Sequence, residues 1–276
     1  MAAPTPDGGV SRTRFALLAV AGLVALAGCG AVLPGGDATP SGPDADLEPA
    51  DPPYATPLVD SGMVADHEAV LRDAGNVTVV RNTTVSDGGP GGGFESLVTV
   101  RVSLVDDRVY AISRPAPVVQ SYQYANGTVY QRVANEDAYS DSRTENDTDG
   151  RTAVEWARAP LERFLPLASF THRGVAERGG ERVHVYRVTD PESVDVSRLT
   201  AGSSMAVELT AVNATVRVRE SGAVSYLQFA YTVEEGGEER EVQTTVTFSD
   251  VGETDASPPV WVAELRERFD GGDDTE

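Results

Sequence analysis

The sequence predicts an α+β fold, mostly β, built as a single curved antiparallel sheet wrapping a few helices. Three observations lead there. Several runs alternate apolar and polar residues with period two: Val98, Val100, Val102 and Leu104 stand against Thr99, Arg101 and Ser103, the mark of strands with one buried face. Short turns rich in Gly, Asp and Asn join these runs, as antiparallel neighbours require. Only a few segments carry apolar residues at helical spacing. A wide sheet with one polar face must cover the other with something, and these helices are the only candidates.

The chain begins with a leader. Arg12 and Arg14 precede an apolar run from Phe15 to Ala27, which closes in Leu26-Ala27-Gly28-Cys29. A basic start, an apolar middle of roughly a dozen residues and small residues before a cut describe a secretory signal over residues 1–28. The run is too short for a retained span, which takes about 20 apolar residues. Leu-Ala-Gly-Cys resembles the lipobox of prokaryotic lipoproteins, which implies cleavage before Cys29 and a lipid on its thiol. Cys29 is the only cysteine, so no intrachain disulfide can form. Arg12-Thr13-Arg14 is not a twin-arginine pair, which makes the general secretory route the default. Residues 29–58 hold Gly, Pro, Asp, Ala and Ser with few large apolar side chains, and read as a lipid-anchored, disordered linker. One β-rich domain is expected over 59–270, followed by an acidic tail at 271–276.

Within the domain the first element is a helix at about 62–74, with Met63, His67, Val70, Leu71 and Ala74 on one face and Gly75 as its stop. Strands follow at 76–85 and 97–105, joined by a glycine-rich loop at 87–93 that has no Lys-Ser/Thr after it and so is no phosphate cradle. Asp106-Asp107 turns the chain into a strand at 108–114, and Pro115 and Pro117 interrupt pairing. A hairpin spans 118–133 about Asn126-Gly127, a pair that favours the type I′ turn. Residues 135–151 read as a loop or short hairpin. Thr152-Ala153-Val154-Glu155 opens a second helix with a capping box, which Pro160 should kink or split. Strands resume at 169–176 and 182–189. Asp190-Pro191 starts a short helical or turn-rich piece. Three long strands close the sheet. Their inward residues are Val212, Ala214, Val216 and Val218, then Leu227, Phe229, Tyr231 and Val233, then Val242, Thr244, Val246 and Phe248. Trp261, Leu265 and Phe269 mark a closing helix.

The net charge is −21, from 43 acidic and 22 basic residues, and every basic residue is arginine. Such a charge self-repels at low salt and is tolerated at molar salt, where the Debye length is about 3 Å. With no basic stripe to meet phosphates, nucleic acid is excluded as a partner. The acidic, lysine-free, Val- and Thr-rich composition resembles exported proteins of halophilic archaea; an acidic mesophilic protein from a GC-rich genome would read the same way. Five Asn-X-Ser/Thr sequons, at Asn76, Asn82, Asn126, Asn146 and Asn213, are candidates for N-glycosylation in an exported chain, about half of them expected to be used.

Catalytic signals are missing. The three histidines are scattered, and there is no Gly-X-Ser-X-Gly elbow, no His-Glu-X-X-His pair and no second cysteine. No metal, no cofactor and no enzymatic activity are expected. His67 is read either as a packed core histidine or as a polar marker in a ligand pocket. The tyrosines of the hairpin are read either as core and cross-strand packing or as the lining of a wet, apolar surface.

The helix around His67 leading directly into strands, the tyrosine-rich hairpin at Asn126-Gly127 and the strand meander ending Pro258-Pro259-Val260-Trp261 carry a resemblance. Together with Cys29 they resemble the lipoprotein-carrier superfamily of LolA, LolB, RseB and LppX-type proteins and, more closely, an uncharacterised group of haloarchaeal lipoproteins. The resemblance spans about residues 60–269 and rests on pattern and order. It implies a half-barrel with an apolar cavity that binds acyl chains or lipoproteins. The residues expected to line such a cavity are His67, Leu71, Tyr122, Tyr124, Trp156, Leu161, Phe229 and Tyr231. The expected protein is then a monomeric, extracytoplasmic, lipid-anchored and non-enzymatic binder of a lipid or lipoprotein. The alternative is a glycosylated surface interaction protein or envelope sensor without a small ligand.

Overall fold

The computed structural model describes residues 47–87, 93–135, 138–145, 151–199, 207–235 and 237–271. Eleven strands form one antiparallel sheet: β1 (Asn76–Asp87), β2 (Gly93–Ser103), β3 (Arg108–Arg114), β4 (Val118–Gln123), β5 (Val129–Ala134), β6 (Tyr139–Thr144), β7 (Thr171–Arg178), β8 (Glu181–Val188), β9 (Val207–Arg219), β10 (Val224–Glu235) and β11 (Glu238–Ser249). Four helices accompany it: α1 (Met63–Ala74), α2 (Ala153–Phe164), α3 (Val196–Leu199) and α4 (Val260–Asp270). The strand order is β6-β5-β4-β3-β2-β1-β11-β10-β9-β8-β7. Two meanders therefore meet at the centre, where β1 lies against β11 with Val79 opposite Phe248. The two edges, β6 and β7, are consecutive in the chain. The connection between them must cross the whole sheet, about 48 Å at 4.8 Å per strand, and α2 lies in that connection.

The alternation read from the sequence sets the faces. Val77, Val79, Val100, Val102, Val216, Leu227, Phe229, Val246 and Phe248 bury against Met63 and Leu71 of α1 and Ala157, Leu161 and Phe164 of α2. Gly75 ends α1 in the left-handed region (φ 82°), and its N–H closes on the Leu71 carbonyl at 3.0 Å. The capping box of α2 is formed: Thr152 N–H donates to the Glu155 carboxylate at 2.8 Å and Glu155 N–H donates to the Thr152 hydroxyl at 3.4 Å. Ala153 N–H donates to Asp107 Oδ1 at 2.9 Å, which pins the start of α2 to the β2–β3 turn. Pro160 does not split α2; the helix runs through it, held by the burial of Ala157, Leu161 and Phe164. Asp190 N-caps a short 3-10 turn at Pro191–Ser193, and α3 follows as a single turn.

Four expectations are corrected. The segment assigned to a linker up to residue 58 joins the fold from Leu47. Glu48 bridges Val175 on the outer side of β7, and Tyr54 clasps Tyr186, its N–H donating to the phenol oxygen at 3.1 Å while that phenol donates back to its carbonyl at 3.2 Å. Tyr54 and Leu58 are buried in the main core and anchor the segment. The Asn126-Gly127 turn is not type I′, because positive φ occurs at Gly127 alone. Tyr124 N–H donates to the Thr128 carbonyl and Gly127 N–H to the Tyr124 carbonyl, the three-residue loop ending in a left-handed glycine. Residues 139–144 form a sixth strand of the first meander. The glycine-rich loop lies mostly outside the described residues. Finally, the face opposite α1 and α2 is not solvated throughout. Val109 faces the main core, so its neighbour Tyr110 faces away, and Tyr110, Tyr122 and Tyr130 stand in register across β3–β5. Helix α4 covers them with Trp261, Val262 and Leu265. Tyr122 donates to the Ala256 carbonyl at 3.1 Å and Tyr130 to Asp270 at 3.0 Å. Each tyrosine thus keeps its polar tip satisfied while burying its ring.

Helix α1 is locked to the sheet through His67, which is fully buried. Its Nδ1 accepts from the Val224 N–H at 3.1 Å, and its ring meets the edge of Phe248 at 4.6 Å. Burial lowers its pKa to about 4; Arg219 adds to the shift, and the Ala157 carbonyl of α2 opposes it without reaching hydrogen-bond geometry. The folded state therefore holds a neutral ring that the unfolded chain protonates below about pH 6.5. Stability contributed by His67 is complete above that value and is lost as pH falls from about 6.5 towards 4. Between pH 7 and pH 5 the loss from this residue is about 2 kcal/mol. His172 and His184 are also lowered by burial and add in the same direction. Urea titrations at the two pH values should show wild type losing about 2 kcal/mol more than His67→Gln, which keeps an acceptor but does not titrate. Equal losses would contradict the account. On the other face, Leu265→Ala should cost about 3 kcal/mol as a core truncation, whereas Val260→Ala, at a side chain 80% exposed, should shift the unfolding midpoint hardly at all.

Candidate functional site

Strands β1, β2, β10 and β11 run 11 or 12 residues, and the helices cover only part of their length. Where cover ends, a groove opens between the sheet and the underside of α2. Its inner part, about 80 Å³, lies between Val79, Val98 and Val100 on the sheet and Trp156, Ala159 and Pro160 on the helix. Its outer part, about 410 Å³, continues over Thr83, Ser96 and Thr244 to Leu167, Leu199 and Tyr231, with Phe94 at its mouth. Arg81, Arg163 and Phe164 line both, so the two parts adjoin. The outer part alone falls in the size range of small-molecule sites, about 300–1,000 Å³. Phe164 stacks on Phe229 at 5.8 Å, and Phe229 meets the edge of Tyr231 at 6.0 Å. Phe94 is 57% exposed, an apolar ring held at the open end.

The charges of the groove are all of one sign. Arg81 stands opposite Val98 of β2 and Val246 of β11, where the apolar floor gives way to Thr83, Ser96 and Thr244. Burial lowers its pKa first, and the like charges of Arg163 and Arg151 lower it further. Arg151 lies 5.3 Å over the Trp156 ring and Arg163 lies 5.4 Å over the Phe164 ring. Arg198, at the outer end, pairs with Asp195 at 3.2 Å. Among the described residues no carboxylate lines the groove. Tyr231 has its phenol pKa raised by burial, with Arg163 pulling it down.

The structure divides the eight residues expected to line a cavity. Trp156 and Tyr231 line the groove. Phe229 and Leu161 are fully buried just behind it, and His67 and Leu71 lie in the core under α1. Tyr122 and Tyr124 are on the other face of the sheet beneath α4, with their rings edge-on at 4.9 Å. The arginines were not anticipated, although one signal was present: Val77, Val79, Arg81, Thr83 and Val85 share a face of β1, and a guanidinium there interrupts an apolar stripe.

Of the sequons, Asn126 and Asn213 are exposed, while Asn76 and Asn82 are half-buried. The Asn76 amide oxygen accepts from Thr254 N–H at 2.7 Å. Asn146 and Cys29 lie outside the described residues. No group of three His, Cys, Asp or Glu is placed to hold a metal ion among the described residues. No helix among them is long and apolar enough to cross a membrane.

No curated protein matches the sequence. Among solved structures the chain is similar to lipoprotein LppX of Mycobacterium tuberculosis, at 15% identity and a TM-score of 0.36, covering 73% of this chain and 99% of that one. It is similar also to a LolA superfamily protein from Nitrosomonas europaea, at 11% identity and a TM-score of 0.24, covering 68% and 93%. Residues 14–265 match the family of unknown function DUF7537, and the chain belongs to that family.

Proposed function

We propose that the domain is a non-enzymatic binder of an apolar or amphipathic ligand, held in the groove beneath α2. The observation that carries this reading is the groove itself: valines and aromatic rings form its floor and roof, and it opens to solvent beside an exposed Phe94. Open apolar surface on a water-soluble face is costly unless something covers it. In the same reading residues 1–28 are a cleaved leader, Cys29 carries lipid, and the stretch before Leu47 tethers the domain outside the membrane. Glycans are proposed at the exposed Asn126 and Asn213 rather than at the half-buried Asn76 and Asn82. A second reading, a surface interaction protein without a small ligand, draws on the packed centre of the fold, where Leu161 and Met63 are fully buried and fill the space between sheet and helices.

A neutral fluorescent probe separates the two. 1-N-phenylnaphthylamine should bind the full chain and quench Trp156; Trp261, the second of two tryptophans, sits on the other face and should be unaffected. Trp156→Phe should remove the quenching without removing the rise in probe emission. Ala159→Phe, which fills the inner groove, should weaken the probe about tenfold, or about 1.4 kcal/mol. A wild-type protein that takes up no probe would favour the second reading. For the anchor, Cys29→Ser should move the protein from the membrane fraction to the soluble fraction of its host; unchanged partition would count against lipid attachment.

A further inference from the structure

We infer that the groove takes an acidic lipid, its anionic head group against Arg81, Arg151 and Arg163 and its acyl chain along Trp156, Phe164 and the valines of β1 and β2. The inference deepens the proposed function and rests on that reading of the groove. Charge makes the argument. The chain carries 43 acidic and 22 basic residues, so an arginine without a carboxylate close by is against the odds. Many arginines elsewhere in the fold are paired: Arg132 donates to Asp141 at 2.9 Å and reaches Glu264 at 3.3 Å, Arg268 reaches Asp141 at 2.8 Å, and Arg219 reaches Glu181 at 2.7 Å; Arg217, half-buried and 4.4 Å over the Tyr226 ring, is an exception on the opposite face. In the groove three arginines converge, with no carboxylate among the described lining residues and no ion pair to a described residue.

Burial sharpens the point. Arg81 is half-buried at the end of the apolar floor, where a guanidinium lacking an anion loses hydration without compensation. The like charges of Arg163 and Arg151 repel it. A phosphate or carboxylate would accept the planar fork of donors in pairs and relieve that repulsion. The apolar walls match the remainder of an amphiphile and not a free anion. Arg151 and Arg163 hold their guanidinium groups over the Trp156 and Phe164 rings, so the polar head of a ligand would lie beside the rings that meet its apolar tail.

The test uses the full chain, with phenylnaphthylamine displacement as the readout. The competitors are dihexanoylphosphatidylglycerol, dihexanoylphosphatidylcholine and inorganic phosphate. The acidic lipid should displace the probe at a concentration at least about tenfold below the zwitterionic one. Arg81→Gln should abolish that preference, bringing the displacing concentrations of the two lipids to within about twofold of each other whatever the variant's own affinity for the probe. Arg163→Gln, at an exposed site on α2, should also abolish the preference and covers the case in which the Arg81 variant does not fold. Equal displacement by the two lipids in wild type, or a preference that survives in Arg163→Gln, overturns the inference while probe binding stands. Inorganic phosphate that blocks the acidic lipid as effectively as a second lipid does would assign the arginines to a free anion and overturn it too. A wild-type chain that never binds the probe removes the groove reading itself, which is a different failure.

Discussion

The pairing of β1 with β11 is the constraint from which the rest of the structure follows. It joins the first and last strands at the centre of the sheet and leaves β6 and β7 at opposite edges. Because those edges are consecutive in the chain, one connection must traverse the sheet. The traverse can only run over a face, and the apolar face is the one that gains by being covered. That is why α2 bears Ala157, Leu161 and Phe164 on one side and why its start is tied to the β2–β3 turn through Asp107. Helix α1 enters immediately before β1 and fills the remaining space, bonded to the start of β10 through His67 and to α2 through Glu68 and Arg158 at 3.4 Å.

A crossing connection covers only what it passes over. The strands on either side of the β1–β11 seam are longer than the helices are wide, so part of the apolar face is left under an overhang. The same topology therefore produces both the packed core and the groove beside it. Two arginines on opposite faces of the sheet have contrasting surroundings. Under α4, Arg132 is enclosed by Asp141 and Glu264 and lies 5.6 Å over Trp261, and Asp141 has its pKa lowered chiefly by Arg132. In the groove Arg81 has aliphatic neighbours and like charges. The first arrangement closes a structure; the second leaves a half-buried guanidinium with no carboxylate among the described lining residues.

Much of the fold was legible from particular residues. The period-two alternation of Val212 to Val218, Leu227 to Val233 and Val242 to Phe248 marked strands and faces together, because a one-residue slip would expose the whole apolar set. The capping box at Thr152 and the stop at Gly75 placed two helix ends, since those backbone groups need local partners whatever the fold around them. The tyrosines were not legible in this way. A tyrosine suits either face of a sheet, and only the register with Val109 shows that Tyr110, Tyr122 and Tyr130 look away from the main core. Tyr54 was hidden for a related reason: a lone aromatic in a Pro-rich segment has no periodicity, and its partner Tyr186 lies 132 residues away.

The sequence by itself determined the mostly antiparallel sheet, the inward side of its long strands and the positions of the major helices. These follow from local periodicity, turn chemistry and the requirement that backbone groups be paired nearby. Only the tertiary structure decided that α4 covers the opposite face, that the chain enters the fold at Leu47, and that Arg81, Arg151 and Arg163 meet under α2. The three arginines come from a strand and from two ends of a helical segment some seventy residues later. Their convergence is set by how the crossing connection lies on the sheet, a relation that no short window of sequence contains.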